Sequence, residues 1–139
     1  MGVVGRLSRA SRLVERGVKE YFAAEGLESW EFDVLAALRR SGPPYTLSPK
    51  DLVASTMVSS AAMTNRVDRL LQRELVTRES DRENRRRVLI SLTPEGLDLV
   101  DRVVGGHVAN ERLLLAGLDA SECEQLSRLL SRLLASLGD

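Results

Sequence analysis

Arginine is concentrated in one short stretch of this 139-residue chain, DRENRRR at residues 81–87. Six of the seven side chains in this stretch are charged, and four of the six are arginines. The flanking runs, VTRES and VLISLT, are rich in β-branched and apolar residues, a composition typical of short β-strands. The pattern predicts a β-hairpin whose tip is suited to a polyanion, although a charged hairpin tip is more commonly only solvated.

A helix is predicted just before this hairpin, in SSAAMTNRVDRLLQREL, with Ser59 as its N-cap. Its apolar residues recur on one side, and small or polar residues fill the first turn of the other side. Ser59 and Ser60, together with the free N–H groups of the helix start, suit a phosphate. Asn65 has the donor and acceptor that adenine requires, and the methyl group of Thr64 suits that of thymine. Alone, this segment could equally be an ordinary surface helix.

The helix and the hairpin together favour a DNA-binding helix over an ordinary surface helix. A shorter helix is predicted from Pro49 to about Ser55, where Ser48 can cap and Asp51 can complete a capping box. Short helix, turn, helix and hairpin are the order of a winged helix-turn-helix, in which the second helix enters the major groove of DNA. Arginines on the hairpin, or wing, suit the neighbouring minor groove. The predicted DNA-binding residues are Ser59, Ser60, Ala61, Thr64, Asn65, Arg69, Arg82, Arg85 and Arg86. A winged-helix module that binds only other proteins is the alternative.

The rest of the chain is predicted to be helical. Periodic apolar residues and helix-end signals indicate helices at 3–22, 29–41, 94–115 and 119–137. The expected fold class is therefore mainly α with a small β-hairpin wing, in a single domain that spans residues 1–139. The last helix carries more leucines than so small a lobe can cover, which favours a partner subunit. These are Leu126, Leu129, Leu130, Leu133, Leu134 and Leu137.

Overall charge says little about partners, because 20 Lys and Arg balance 20 Asp and Glu. The distribution is more informative: residues 59–93 carry 8 basic and 5 acidic side chains, whereas residues 94–139 carry 4 and 8. The net charges, +3 and −4, favour one face for a polyanion. A single cysteine excludes an internal disulfide, and no apolar stretch approaches the ~20 residues that span a bilayer. A cytoplasmic protein without a membrane segment is expected.

Catalysis is not expected. The chain has no Gly-rich phosphate loop and no zinc-type spacing of Cys and His, and no third partner is evident for Cys123 or His107. No cofactor or metal is therefore predicted. His107 shares a helix side with apolar residues and is expected to be packed, or at an interface, rather than a pH sensor. Cys123 is expected to be a buried structural thiol.

Segments spread over the chain resemble the MarR family of bacterial transcriptional regulators. They are FDVLAAL, LSPKDLVA, MVSSAAMTNRVDRLLQRELVTR, DRENRR and VLISLTPEG. The resemblance implies a homodimer that binds a pseudo-palindromic operator in double-stranded DNA, most simply as a repressor relieved by a small ligand. It assigns residues 1–26 and 94–139 to dimerisation helices and 27–93 to the winged helix-turn-helix lobe. Where the family usually has an Asp to orient the arginine matching Arg86, this chain has Asn84, with Asp81 as a nearby substitute.

Within the family, AMTNRVDRL and FDVLAALRRSGPPY are similar to the urate-responsive branch. That branch holds its purine with a Trp, an Asp and two Arg, and the resemblance assigns the Asp and Arg roles to Asp33, Arg66 and Arg78. Trp30 does not stand at the position of the branch's Trp. The implied ligand is small and anionic or aromatic, such as urate or a related purine. An internal Asp33–Arg66 ion pair without a ligand is the alternative.

Overall fold

The computed structural model describes residues 2–56 and 58–139. Over these ranges the chain forms six helices and three short strands. In order, they are α1 Val3–Ala24, α2 Ser29–Arg40, β1 Thr46–Leu47, α3 Pro49–Thr56, α4 Ser60–Gln72, β2 Val76–Ser80, β3 Val88–Leu92, α5 Pro94–Leu114 and α6 Ala120–Ser136. The predicted fold class, mainly α with a small β-hairpin wing, is confirmed.

Side-chain caps determine where several helices start. Ser59 caps α4 as predicted, because its Oγ accepts a hydrogen bond from the N–H of the third helical residue at 3.2 Å. Asp119 and Glu122 form the predicted reciprocal capping box at α6. Helix α2 starts with a second box, between Glu28 and Glu31, that was not predicted because glutamate is not a typical N-cap residue.

The sheet has one strand more than the predicted hairpin. Strands β2 and β3 pair in antiparallel register from Val76 with Leu92 to Ser80 with Val88. Strand β1 adds to the other edge of β3, where the hydroxyl oxygens of Thr46 and Ser91 lie 2.6 Å apart. A two-residue strand has no periodicity to read in the sequence, which is why β1 was missed.

The core lies among α2, α3, α4, α5 and the sheet. Its fully buried side chains include Leu35, Leu38, Leu52, Met63, Leu70, Ile90 and Val100. Helix α5 approaches the sheet closely at Gly96, where an added Cβ would lie 2.1 Å from the carbonyl oxygen of Leu75. Any larger residue there would push the helix away, and α4, β2 and α5 are thereby held in one compact lobe.

The terminal helices are much less covered. Helix α1 packs along α5, where the hydroxyl of Tyr21 donates to the carbonyl of Val103 at 2.9 Å. No residue of α6 is buried by the rest of the described chain. Cys123, predicted to be buried, is therefore only half-buried, because nothing here covers its helix side. Among the described residues, no helix is both long and apolar enough to cross a membrane.

Candidate nucleic-acid interface

Helix α4 separates its residues into a buried side and an exposed side. Met63, Val67 and Leu70 are at most 1% exposed and anchor the helix in the core. The residues predicted to meet DNA all lie outside that contact and are exposed: Ser59, Ser60, Ala61, Thr64, Asn65 and Arg69. Successive residues of an α-helix differ by about 100°, so positions 60, 61, 64 and 65 share one side. We call these four the groove face.

The first turn of α4 is internally ordered. The Ser59 hydroxyl oxygen is engaged in the cap, and the Thr64 hydroxyl donates to the carbonyl of Ser60 at 3.1 Å. Since the hydroxyl donates its proton within the helix, Thr64 offers an outside partner its methyl group and the acceptor oxygen of the hydroxyl. The small side chains of Ser60 and Ala61 leave room for a close approach to base edges.

The wing tip, residues 81–87, is closed by its own backbone and two short side chains. Asp81 N–H donates to the carbonyl of Arg87 at 2.8 Å, and Arg87 N–H donates to the carbonyl of Asn84 at 2.9 Å. The side-chain oxygens of Asp81 and Asn84 accept from the N–H groups of Glu83 and Arg86 at 3.0 and 3.2 Å. Asp81 forms no ion pair with an arginine of the described chain, so it does not take the place of the family's carboxylate beside the wing arginine in this structure.

Most arginines of residues 59–93 form an ion pair or a stacking contact with another residue of the described chain, whereas three form neither. Of the eight in residues 59–93, five have an ion pair or a stacking contact: Arg66, Arg69, Arg73, Arg78 and Arg87. Arg82, Arg85 and Arg86 are exposed and form no ion pair with any residue in the ranges 2–56 and 58–139. The tip thus presents three guanidinium groups to an outside partner.

Arg69, predicted to contact DNA, lies beside the groove face rather than on it. Its Nη2 is 3.2 Å from Glu28 Oε2, and its guanidinium lies over the Trp30 ring. Sequence reasoning assigned no role to either Glu28 or Trp30. The signal that could have indicated a role for Trp30 was local, since it is the chain's single tryptophan and lies one residue after the start of α2.

This chain is similar in sequence to proteins of a known class. The MarR family profile matches residues 25–87. The HTH-type transcriptional regulator PecS of Dickeya dadantii is 42% identical over 132 residues, covering 95% of this chain and 80% of PecS. The chain belongs to the MarR family.

Solved structures of the family share the whole fold. A mutant MarR from E. coli complexed with operator DNA is 27% identical, with a TM-score of 0.80 over 94% of this chain and 93% of that one. Bordetella bronchiseptica BpsR, whose DNA binding is regulated by 6-hydroxynicotinic acid, is 29% identical, with a TM-score of 0.80 over 95% and 92%. This protein is a DNA-binding transcriptional regulator rather than an enzyme, and the relatives give no support to a protein-only binding module. MarR-family proteins bind DNA as dimers and respond to small molecules.

The three residues assigned to a ligand do not converge on one point. Arg78 Nη2 lies 2.7 Å from Asp68 Oδ1, and the Arg66 guanidinium lies 5.5 Å from the centre of the Trp30 ring. Asp33 is exposed and forms no ion pair within the described chain, so the alternative Asp33–Arg66 pair is not observed. Partial desolvation nevertheless raises the pKa of the Asp33 carboxyl group, while the positive charge of Arg66 opposes the shift.

An open cavity of about 300 Å³ lies beside Asp33, where α1, α2 and α5 meet. Its lining comprises Glu15, Val18, Lys19, Phe22, Ser29, Phe32, Asp33 and His107. The rings of Phe22 and Phe32 stack with centroids 4.6 Å apart, and the His107 ring lies 5.0 and 5.2 Å from them. His107 is thus packed, as predicted, and its buried Nδ1 has no hydrogen-bond partner among the described residues. The cavity combines an aromatic wall with polar side chains at its edge.

Proposed function

We propose that this protein is a homodimeric repressor whose α4 and wing tip bind adjacent grooves of an operator, with DNA affinity reduced by a small anionic or aromatic ligand. The observation that carries the DNA-binding site is the set of three exposed arginines, Arg82, Arg85 and Arg86, that form no ion pair within residues 2–56 and 58–139. Strand β2 joins the two surfaces, since Arg78 of that strand pairs with Asp68 of α4 at 2.7 Å.

In this proposal, the groove face reads the major groove. Asn65 supplies the bidentate amide for adenine, Thr64 the methyl contact, and the capped helix start with Ser59 and Ser60 the phosphate contact. The wing arginines enter the neighbouring minor groove, where the potential is most negative. Arg69, on the side of α4, would contact the phosphate backbone of the DNA.

Dimerisation is supported by the apolar surface of the terminal helices. Large apolar side chains are exposed on α1, α5 and α6, among them Val4, Leu113, Leu129, Leu133 and Leu134. No residue of α6 is buried by the rest of the described chain, although helices in proteins gain most of their stability by packing an apolar face, so the uncovered apolar side of α6 favours a covering partner. A second copy fits this need, with residues 1–26 and 94–139 as dimerisation segments and 27–93 as the DNA-binding lobe. Two lobes then meet the major groove ~34 Å apart.

The cavity beside Asp33 is the proposed ligand site. A planar heteroaromatic ring would stack on the wall of Phe22, Phe32 and His107, while Asp33 accepts a ring N–H. Urate or a related purine, suggested by the resemblance to the urate-responsive branch, has this shape and these donors. Arg66 and Arg78 lie outside the cavity lining, so they would have to move to bind an anionic ligand. That movement would disturb α4 and the wing, which gives the ligand a preference for the DNA-free state.

The test is a titration of fluorescently labelled intergenic DNA, taken from upstream of the chain's own gene, in the presence and absence of urate. We expect two chains per duplex, measured by sedimentation of the complex, and release of the DNA by urate or another purine. Tight binding that no purine changes would contradict the ligand proposal alone. Absence of binding at low salt would contradict the proposed DNA-binding site.

A further inference from the structure

Helix α2 holds one side of α4 through a cluster of four residues, Glu28, Trp30, Arg66 and Arg69. The indole Nε1 of Trp30 donates a hydrogen bond to Glu28 Oε2 at 2.7 Å, and Arg69 Nη2 lies 3.2 Å from the same oxygen. The guanidinium carbons of Arg69 and Arg66 lie 5.0 and 5.5 Å from the centre of the Trp30 ring. One tryptophan therefore contacts two arginines of α4, and we call this cluster the α2 clamp.

A neighbouring contact extends the hold by one helical turn. Glu31, only 5% exposed, accepts a hydrogen bond from Arg73 Nη1 at 2.5 Å and another from the backbone N–H of Glu28 at 3.0 Å. Glu28 and Glu31 are also the capping box of α2. The two carboxylates that start α2 are thus the same two that hold α4.

The clamped residues form a separate side of α4. Arg66, Arg69 and Arg73 are spaced by three and four residues, so they lie in one row along the helix. At about 100° per residue, this row falls between the buried side and the groove face. Any rotation of α4 about its axis would therefore break the clamp and turn the groove face at the same time.

We propose that Glu28 and Trp30 are positioning residues for operator recognition, which set the rotation of α4 so that Thr64 and Asn65 face the base edges. This inference rests on the proposed DNA-binding function. Arg69 and Glu28 keep 54% and 56% of their side-chain surfaces exposed, and ion pairs that exposed add little to stability. The clamp therefore affects the orientation of α4. Its loss should weaken the base contacts, which require a defined orientation, more than the phosphate contacts, which depend mainly on charge.

Two variants of the tryptophan separate these effects. Trp30→Leu removes the aromatic face, whereas Trp30→Phe keeps a face for both guanidinium groups and loses only the indole donor. The affinity of each is measured by fluorescence anisotropy for the upstream intergenic duplex and for a shuffled duplex of equal length and composition. We expect Trp30→Leu to lower affinity for the upstream duplex roughly tenfold, because loss of the cation–π contacts that hold α4 misaligns its base contacts.

Affinity for the shuffled duplex is expected to change less than about twofold, since that binding comes from phosphates. Trp30→Phe is expected to keep most of the preference for the upstream duplex. An unchanged preference in Trp30→Leu would overturn the positioning role and leave the DNA-binding function intact. A wild-type protein without any preference would overturn both.

If Trp30→Leu does not fold, as judged by circular dichroism, Glu28 provides a second pair of variants. Glu28→Gln and Glu28→Ala remove the same charge, but only glutamine keeps an oxygen that can accept from Trp30 and Arg69. We expect the alanine variant to lose preference for the upstream duplex and the glutamine variant to retain it. Equal preference in the two variants would overturn the inference.

Discussion

Arg78 Nη2 of strand β2 lies 2.7 Å from Asp68 Oδ1 of α4, and this ion pair ties the wing to the helix that carries the groove face. The two side chains keep 42% and 50% of their surfaces exposed, so the pair is expected to contribute only about 0.2–1 kcal/mol to stability. A double-mutant cycle with Asp68→Asn and Arg78→Gln, followed by urea unfolding, measures this coupling. A coupling energy near zero would mean that this ion pair does not hold the wing to α4.

The same pair tests the role that resemblance assigned to Arg78. If Arg78 leaves Asp68 to bind the ligand, Arg78→Gln should reduce the effect of urate on DNA affinity, whereas Asp68→Asn should leave that effect or increase it. DNA anisotropy with and without urate provides the comparison. Equal loss of response in both variants would instead indicate a purely structural pair.

Asp33 is expected to affect ligand response more than DNA affinity, because it lines the cavity and lies outside the groove face. Asp33→Asn should weaken the release of DNA by urate, with DNA affinity in the absence of ligand close to that of the wild type. Glu15→Gln, at the same cavity but on α1, is the matched control for loss of one negative charge. Loss of DNA binding in Asp33→Asn would show that the residue is structural.

The pH dependence of stability also follows from Asp33. Because desolvation raises its pKa, the folded state binds this proton more tightly than the unfolded chain does. The stabilising effect of the bound proton is full below the ordinary pKa of aspartate and is lost as pH rises through the raised value. Asp33→Asn should therefore be more stable than wild type at neutral pH, with the difference shrinking near about pH 4. Urea midpoints at fixed protein concentration, with Asp98→Asn as the charge control, measure this; a less stable Asp33→Asn at neutral pH contradicts it.

The terminal helices are expected to hold the dimer. Leu133 is 39% exposed on the apolar side of α6, and a charge there would be desolvated in an interface. Leu133→Asp should dissociate or unfold the protein, while Ser131→Asp, on the opposite side of the same helix, should leave it dimeric. Sedimentation velocity distinguishes the two, and a dimeric Leu133→Asp would place the interface elsewhere.

Features determined by neighbouring residues could be predicted from the sequence. The Ser59 cap, the capping box of Asp119 and Glu122, and the exposed wing arginines all depend on residues within a few positions of one another. Contacts between distant elements could not be predicted in the same way. Arg73 meets Glu31 across 42 residues, and that meeting depends on how α2 crosses α4 in the folded lobe.

The wing illustrates the same limit at short range. Its arginines were evident from the sequence, but which of them form ion pairs was not, because the Arg87 guanidinium is held at 3.8 Å by Asp51 of α3, a residue 36 positions earlier in the chain. Asn84 likewise stands where the family usually has an Asp, and only the structure shows that its side chain bonds the backbone of the tip. Side-chain roles at the site therefore required the tertiary structure, whereas the class of site did not.

The proposed binding of DNA by the wing-tip arginines, which form no ion pair in the described part of the chain, is tested most directly by a salt-dependent titration of Arg86→Ala. Anisotropy with the upstream intergenic duplex would be measured at several salt concentrations for wild type, Arg86→Ala and Arg87→Ala. Arg86→Ala should weaken binding by about 1–3 kcal/mol, by analogy with single base contacts, and should reduce the log–log salt slope by about 0.9 if it neutralises one phosphate. Arg87→Ala should have a smaller effect, because Asp51 already holds that arginine. Unchanged affinity and slope in Arg86→Ala would contradict the wing's role in DNA binding.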